Sequence, residues 1–191
     1  MQTICVFGGS SPGADPRYVE AAAALGTEIA SRGMRLVYGG ASIGLMGAVA
    51  DAALASGADV LGVMPEHLCQ DEIAHRGLTE LRVTASMHER KQVMAQEADA
   101  FIALPGGFGT VEEVIEILTW NQLGLIATPV GLVDTLGYYG RLVSFFGHAV
   151  SQGFVRAPHL GLYSIDPDPV ALLEAMEHYE PTATPKWVDR A

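Results

Sequence analysis

The sequence has only two cysteines and lacks an apolar run of the length that crosses a membrane. A spanning helix needs roughly 18 consecutive apolar residues, and Cys5 and Cys69 are too few for a framework of disulfides. The first residues, MQTICVFGGSS, lack the basic start and the cleavage pattern of an export signal. These absences predict a cytoplasmic protein with reduced thiols and no membrane partner.

Positive charge is scarce as well. The chain has 11 lysines and arginines against 22 aspartates and glutamates, which gives a formal net charge of −11. Bulk attraction to the phosphates of a nucleic acid is therefore not expected, although a small anion can still bind to backbone amides and a few cations. The six histidines show no paired spacing and the cysteines are far apart, so the sequence predicts no metal site.

The chain does contain a regular alternation of short apolar runs and helical patterns. With 49% hydrophobic and 17% charged residues, it has ample material for a core. The predicted strands span residues 4–7, 35–38, 60–63, 81–84, 100–104, 130–133 and 162–165. The predicted helices span residues 16–32, 43–56, 87–97, 110–123, 139–152 and 169–178. This order predicts a three-layer α/β fold, in which helices cover both faces of a mostly parallel sheet of about seven strands.

The domain organisation is predicted to be simple. A single domain covers residues 1–180, and an extended, proline-rich tail follows over 181–191. Asp15-Pro16 and Asp168-Pro169 are typical helix starts, and Gly33 is a typical helix end. Residues 65–78 form the longest stretch without a clear element.

Three glycine-rich turns each follow a predicted strand and open a helix. In a parallel sheet all three lie at the carboxyl ends of strands, where open α/β folds bind ligands. Glycine permits close approach of the backbone to a ligand, and free amides at a helix start favour an anion such as phosphate. Tight turns also need glycine for steric reasons alone, so a purely structural role stays open for each turn. The turns are Gly8-Gly9-Ser10-Ser11-Pro12-Gly13, Gly39-Gly40-Ala41-Ser42-Ile43-Gly44 and Pro105-Gly106-Gly107-Phe108-Gly109-Thr110.

Two common nucleotide motifs do not match these turns. No lysine follows the glycines as a P-loop requires, which argues against a nucleotide triphosphatase. None of the turns has the dinucleotide spacing with a distal acid. We interpret Ser10, Ser11 and Ser42 as turn residues rather than as nucleophiles.

The helix after the third turn carries three carboxylates, Glu112, Glu113 and Glu116, near its start. Negative charge there complements the helix dipole, which explains one or two of them. A carboxylate beside an anion-binding turn is also suited to another part of the ligand, such as ribose hydroxyls. Glu112, Glu116 and Thr119 share one helix face, whereas Glu113 is rotated by about 100° from Glu112. The two faces can therefore serve different partners.

Two adjacent cations, Arg90 and Lys91, lie on a predicted helix within one turn of Met87 and Met94. In one interpretation their stems cover the core and their charged ends reach water. In the other, they extend over the sheet edge to the glycine turns and bind a phosphate or a carboxylate. Arginine suits bidentate contact with phosphate and cannot donate a proton near pH 7.

The run PGGFGTVEE at residues 105–113 resembles the PGGxGTxxE signature of the Lonely Guy family, the cytokinin riboside 5′-monophosphate phosphoribohydrolases. The agreement extends to MHERK at 87–91, TWNQLG at 119–124, GSSPG at 9–13 and GGASIGLMG at 39–47. The resemblance covers residues 3–180. It implies a Rossmann-like fold and a homodimer whose site lies near the subunit interface.

The resemblance also implies roles for the residues at matching positions. Arg90 and Glu113 correspond to the catalytic pair. The implied substrate-binding residues are Glu72, Lys91, Gly106, Gly107, Phe108, Gly109, Thr110, Val111, Glu112 and Thr119, to which the other glycine turns add Gly9, Ser10 and Gly40.

The implied reaction hydrolyses the N-glycosidic bond of a nucleoside 5′-monophosphate, such as AMP or a cytokinin riboside monophosphate. The products are a free base and ribose 5-phosphate, and no cofactor is required. Positive charge develops on the ribose, as in glycosidases, and the Glu113 carboxylate can stabilise it, hold a ribose hydroxyl or orient water. Glu112, Glu72 and an ordered water are candidate proton donors for the leaving base.

Two other functions stay open on the sequence. A non-catalytic carrier would bind a nucleotide or cofactor in the same site without releasing the base. A pyridoxal-phosphate decarboxylase needs a Schiff-base lysine, and of the two lysines in the chain, Lys91 and Lys186, only Lys91 is suitably placed.

Overall fold

The computed structural model describes residues 1–69 and 73–180, and its centre is a seven-stranded sheet. The strands are Thr3–Phe7 (β1), Arg35–Tyr38 (β2), Val60–Pro65 (β3), Glu80–Thr84 (β4), Ala100–Ala103 (β5), Val130–Val133 (β6) and Ser164–Asp166 (β7). Every neighbouring pair is parallel, in the order β4-β3-β2-β1-β5-β6-β7. The predicted parallel sheet is therefore confirmed.

Helices connect the strands, and six of them lie within one or two residues of the predicted bounds, whereas the short helix after β3 was not predicted. They are Arg17–Ser31 (α1), Gly44–Ala55 (α2), Glu66–Cys69 (α3), Met87–Glu97 (α4), Phe108–Leu123 (α5), Gly140–Ser151 (α6) and Pro169–Glu177 (α7). The Asp15 carboxylate accepts a hydrogen bond from the Arg17 amide, and Asp168 accepts one from Val170, so both aspartates cap a helix start. Across residues 1–69 and 73–180, no helix is both long enough and apolar enough to cross a bilayer.

The core is divided between the two faces of the sheet. Along β1, Ile4 and Val6 face one side while Cys5 and Phe7 face the other, as the two-residue period of a strand requires. Buried residues of α1, α2 and α7 complete the first cluster. Buried residues of α4 and α5 complete the second, and α6 adds partly buried side chains. This arrangement is the predicted three-layer fold.

Two segments differ from the sequence prediction. Residues 65–78 begin with the end of β3 and the short helix α3, and Ala74 then pairs with Ala41 of the second glycine turn. Tertiary pairing with the second glycine turn, rather than a local pattern, holds residues 73–75. The last strand is Ser164–Asp166 and not 162–165, because Leu162 ends a 3₁₀ helix, Ala157–Leu162, that has a proline in its first turn. The predicted tail over 181–191 lies outside the described residues.

The strand order reverses between β1 and β5. Strands β2, β3 and β4 lie on one side of β1, and the later strands β5, β6 and β7 lie on the other side. Open α/β sheets bind ligands at the carboxyl ends of strands where the order reverses. The first glycine turn follows β1 and the third follows β5, so both lie at the reversal point.

Candidate active site

The three glycine turns meet at the carboxyl edge of the sheet. The Gly9 amide donates a hydrogen bond to the Pro105 carbonyl at 3.0 Å, which joins the first turn to the third. The Gly9 carbonyl accepts a hydrogen bond from the Leu45 amide at 2.9 Å, which joins the first turn to the second. Gly44 has a φ of 62°, and a Cβ on it would overlap the carbonyl of Ser10. Close approach of the turns therefore requires glycine at that position.

A cleft of about 340 Å³ opens where the turns meet. One wall is the start of α5, where Gly107 precedes the helix and no side chain caps the first amides. Free amides and the positive end of the helix dipole favour an anion at that point. The lining residues are Gly8, Gly9, Ser10, Met46, Met87, Arg90, Gly107, Phe108, Gly109, Thr110, Glu112 and Glu113.

Arg90 lies on α4 and its guanidinium is directed into the molecule. Ser86 caps the helix by accepting a hydrogen bond from the Glu89 amide at 3.2 Å, which fixes the first turn. From there Arg90 Nε donates to the Val63 carbonyl at 3.0 Å, and Nη1 donates to Glu113 Oε1 at 2.9 Å. Arg90 is only 9% exposed. Of the two interpretations of the sequence, the structure therefore supports the one in which Arg90 reaches the glycine turns.

Glu113 lies on the face of α5 that packs toward the sheet. It is 8% exposed, and its carboxylate pairs with Arg90 at the inner side of the cleft. Burial raises the pKa of this carboxyl above its ordinary value, and the attraction of the Arg90 guanidinium offsets the effect only in part. The site thus holds a desolvated acid beside a permanent cation, an arrangement that is typical of catalytic centres.

Glu112 and Glu116 occupy the neighbouring helix face and hold Lys91. The Lys91 ammonium contacts Glu112 at 2.6 Å and Glu116 at 3.1 Å. Burial lowers the Lys91 pKa, but the hydrogen bonds to the two carboxylates outweigh that effect and raise the pKa overall. The helical spacing allowed Glu113 a different partner from Glu112 and Glu116, and in the structure Glu113 pairs with Arg90 while the other two pair with Lys91.

Other predicted site residues lie away from this cleft. Thr119 lines a separate apolar groove of about 150 Å³ and donates its hydroxyl to the Ile115 carbonyl. Gly40, with a φ of 79°, accepts a hydrogen bond from the His75 amide beneath the second turn. Gly106 lines an adjoining cavity of about 220 Å³, where a Cβ would overlap the Thr110 side chain, and Val111 is half-buried outside the lining of the cleft. Glu72 lies outside the described residues, so its role stays a prediction.

Three lining residues, Gly8, Met46 and Met87, were not among the predicted site residues, although Gly8 belongs to the first glycine turn. Met46 follows Gly44 by two positions, and Met87 lies one helical turn before Arg90, so both methionines lie within motifs that carry the family resemblance. Their thioether side chains add an apolar, adaptable wall to an otherwise polar cleft. Such a wall suits the flat face of a heterocyclic base.

Ser42 illustrates a spacing that does not produce a nucleophile. Gly40-Ala41-Ser42-Ile43-Gly44 has the glycine spacing of a hydrolase elbow and connects a strand to a helix. The Ser42 hydroxyl, however, donates to the Ile73 carbonyl at 3.0 Å. The nearby His75 has both ring nitrogens engaged, one by the Gly77 amide and the other by Asp51. Ser42 is therefore a turn residue, as the sequence analysis interpreted it.

Comparison with known proteins identifies the family. A family model described as "Possible lysine decarboxylase" matches residues 46–176. The cytokinin riboside 5′-monophosphate phosphoribohydrolase LOG7 of Arabidopsis thaliana is 48% identical over 181 residues, which cover 95% of this chain and 83% of the relative. A probable enzyme of the same name from Oryza sativa subsp. japonica, LOGL9, is 47% identical over 95% of this chain and 80% of its own length.

Solved structures share the fold at lower identity. The molybdenum cofactor carrier protein of Chlamydomonas reinhardtii is 23% identical with a TM-score of 0.70, covering 92% of this chain and 96% of that protein. The molybdenum cofactor binding protein of Rippkaea orientalis is 22% identical with a TM-score of 0.67, covering 92% of this chain and 95% of that protein. At these identities the likeness concerns the fold alone. The family model and the plant relatives, by contrast, cover most of the chain, and the chain therefore belongs to the Lonely Guy family.

Proposed function

We propose that the protein hydrolyses the N-glycosidic bond of nucleoside 5′-monophosphates, including cytokinin riboside monophosphates and AMP. The products are the free base and ribose 5-phosphate. The observation that carries this proposal is the buried Arg90–Glu113 pair, which lies in a cleft bounded by an uncapped helix start. The names of the plant relatives, at 48% and 47% identity over 95% of this chain, support the same reaction.

The substrate phosphate is proposed to bind at the start of α5. The amides of residues 107–110 have no partner within the helix, and the dipole adds favourable potential. The net charge of −11 disfavours anions in general, so a local cradle of amides is needed to hold a phosphate. With the phosphate on these amides, the sugar lies toward Arg90 and Glu113, which line the same cleft.

Glu113 is proposed to act on the ribose. As the bond between C1′ and the base nitrogen breaks, positive charge develops on the sugar ring. An ionised carboxylate stabilises that charge, holds a ribose hydroxyl or orients the attacking water. Burial strengthens the electrostatic attraction, because few water molecules compete with it. The water oxygen bonds to C1′, and the base leaves with a proton.

Arg90 is proposed to hold the Glu113 carboxylate in place and to contribute fixed positive charge. Its guanidinium stays protonated near pH 7, so it does not supply the proton for the leaving base. Glu112, Glu72 and an ordered water remain the candidates for that donor. Lys91 is a substrate-binding candidate by its position in the family motif, and it borders the cleft through its contact with Glu112.

The decarboxylase function suggested by the description of the family model fits the chain less well. A Schiff-base lysine must lose its proton to react with pyridoxal phosphate. Lys91 is held by two carboxylates that raise its pKa, which favours the charged form. Lys186 lies outside the described residues. We therefore favour hydrolysis.

A base-release assay tests the proposed function directly. Purified protein is incubated with AMP, GMP, CMP and a prenylated AMP, and free base is separated by chromatography. Release of adenine or prenylated adenine at a rate proportional to enzyme supports the proposal. Tight binding of AMP with no free base would instead indicate a carrier, the alternative function.

The protein is also proposed to be a homodimer. An apolar groove of about 150 Å³ runs beside α5, and no residue of α6 is buried within the described chain. Three large apolar side chains on α6 or just after α5 and α6 are strongly exposed, Phe154 at 82%, Leu125 at 68% and Phe145 at 61%. Such a concentration of exposed apolar surface is typical of subunit interfaces. A partner on this face would lie next to Thr119, the predicted binding residue that is remote from the cleft.

The mass in solution tests the proposed dimer. Light scattering is expected to give twice the chain mass for the wild type and a monomer for Phe154→Asp. Val170→Asp changes an exposed valine at the start of α7, on another part of the molecule, and is expected to remain dimeric. A monomeric wild type, or a dimeric Phe154→Asp, would contradict the assignment of this face.

We further propose a cytoplasmic location. Cys5 and Cys69 are both free thiols, which suits a reducing compartment. Microscopy of a fluorescent fusion in the source cells would test this location.

A further inference from the structure

Two consecutive tyrosines hold the third glycine turn from outside the cleft. The Tyr139 hydroxyl donates to the Leu104 carbonyl at 2.7 Å, and the Tyr138 hydroxyl donates to the Gly106 carbonyl at 2.5 Å. The carbonyl between them, that of Pro105, accepts a hydrogen bond from the first glycine turn. Three successive carbonyls that lead into the start of α5 are thus held by three separate donors.

The loop that carries these tyrosines contains a strained residue. Leu136 has a φ of 59°, and it is the only non-glycine residue with a positive φ among residues 1–69 and 73–180. Leucine in this conformation costs free energy, and Leu136 is 46% exposed, so burial of its side chain does not explain the cost. Asp134 stabilises the turn by accepting hydrogen bonds from the Gly137 and Tyr139 amides at 2.9 and 2.7 Å. The turn delivers both tyrosines to the glycine segment.

We propose that Tyr138 is a positioning residue for the phosphate cradle, acting through the peptide between Gly106 and Gly107. The proposal rests on the function proposed above, in which the Gly107 amide helps to bind phosphate. In a trans peptide the carbonyl and the following amide point in opposite directions. Tyr138 holds the Gly106 carbonyl on the side of the adjoining cavity that Tyr138 itself lines, so the Gly107 amide is directed to the other side, toward the cleft that holds Arg90.

Glycine makes such an anchor necessary. Gly106 and Gly107 have no side chains that could fix the peptide plane, and a Cβ on Gly107 would meet no atom within 4 Å. The backbone there is free to rotate unless a hydrogen bond prevents it. Tyr138 supplies that bond, while the edge-on contacts of its ring with Tyr139 at 5.2 Å and Tyr18 at 6.0 Å hold the phenol in place.

Phosphate affinity in hydroxyl-deletion variants tests the proposal. Tyr138→Phe removes only the hydroxyl that contacts Gly106. Tyr18→Phe is the matched control, because the Tyr18 ring packs against Tyr138 but its hydroxyl bonds to no described residue. We expect titration calorimetry to show inorganic phosphate binding about fivefold weaker in Tyr138→Phe, which is about 1 kcal/mol, and unchanged in Tyr18→Phe.

The kinetics of AMP hydrolysis provide a second readout. A phosphate contact that is made equally in the ground state and the transition state affects KM and not kcat. We therefore expect the KM for AMP to rise about fivefold in Tyr138→Phe, in line with one lost hydrogen bond, while kcat stays within about twofold of wild type.

Several results would overturn the inference. Wild-type phosphate affinity in Tyr138→Phe, or an equal loss in Tyr18→Phe, would show that the hydroxyl does not position the cradle. A fall in kcat with unchanged phosphate affinity would do the same. If the wild type binds phosphate but releases no base, the proposed hydrolysis fails while the calorimetry still decides the role of Tyr138. If the wild type binds no phosphate, the cradle and this inference fail together.

Discussion

Replacing Glu113 by glutamine separates the charge of this side chain from its shape. The amide oxygen of glutamine can still accept the hydrogen bond that Arg90 donates at 2.9 Å, so the packing of the cleft is retained. The negative charge is lost. If the carboxylate stabilises the oxocarbenium-like transition state or orients water, base release is expected to fall by about 10²–10⁴-fold, or about 3–5 kcal/mol.

The stability of the same variant relative to wild type is expected to increase as the pH rises. Burial raises the folded-state pKa of Glu113 above the ordinary value of 4.5. A carboxyl with a raised folded pKa stabilises the fold below about pH 4.5, and that contribution is lost as the pH rises through the folded pKa. Each pKa unit corresponds to about 1.4 kcal/mol. Glutamine does not titrate. As the pH rises from about 4.5 through the folded-state pKa of Glu113, the unfolding free energy of wild type therefore falls relative to that of Glu113→Gln.

Two measurements check this prediction. Free adenine released from AMP is quantified by chromatography, and urea unfolding is followed between pH 4.5 and pH 8. Glu116→Gln serves as the control, because it makes the same charge change one turn further along α5, outside the residues that line the cleft. Turnover of Glu113→Gln within tenfold of wild type would refute the role of the carboxylate. A difference in unfolding free energy between the two proteins that does not change with pH would refute the electrostatic account of the burial of Glu113.

Three further substitutions test the framework of the site. Arg90→Met leaves the Glu113 carboxylate buried without its cation. Urea unfolding is expected to show a free energy of unfolding about 3–5 kcal/mol lower at pH 7, with a smaller loss at acidic pH. An equal loss at both pH values would contradict this account. Gly44→Ala places a side chain at a backbone position with a left-handed φ, where its Cβ overlaps the first glycine turn. The free energy of unfolding is expected to fall by at least about 2 kcal/mol, visible as a lower urea midpoint. Asn121→Ala removes two hydrogen bonds that the buried side-chain amide makes to the Thr128 backbone. Thermal unfolding is expected to show a free energy of unfolding lower by about 1–3 kcal/mol, and an unchanged Tm would argue against a stabilising role for these bonds.

Most of the architecture could be predicted from local patterns. A strand buried on both faces is recognisable as a short apolar run between turn residues, and Ala100–Ala103 is an example. Aspartate before proline marked two helix starts correctly, because the carboxylate caps the first amides. The approach of the three glycine turns also followed from the sequence, because parallel strands all end at the same edge of the sheet.

The segment after β3 and the position of Thr119 could not be predicted in the same way. Residues 65–78 have no periodic pattern, since part of that segment is held by backbone pairing with the second glycine turn. Thr119 shares a helix face with Glu112, but two helical turns carry it about 10 Å along the axis, away from the start of α5. A helical wheel shows direction around the axis and hides that distance.

The sequence by itself determined the strand and helix order, the glycine turns and the placement of two carboxylate faces on one helix, because each depends on neighbouring residues. Only the tertiary structure decided that Arg90 reaches Glu113, 23 positions further along the chain, instead of extending into water. It also decided that Tyr138 anchors Gly106 from 32 positions away. Such contacts depend on how separate elements stack around the sheet, and stacking is set by the packing of the whole core rather than by any local pattern.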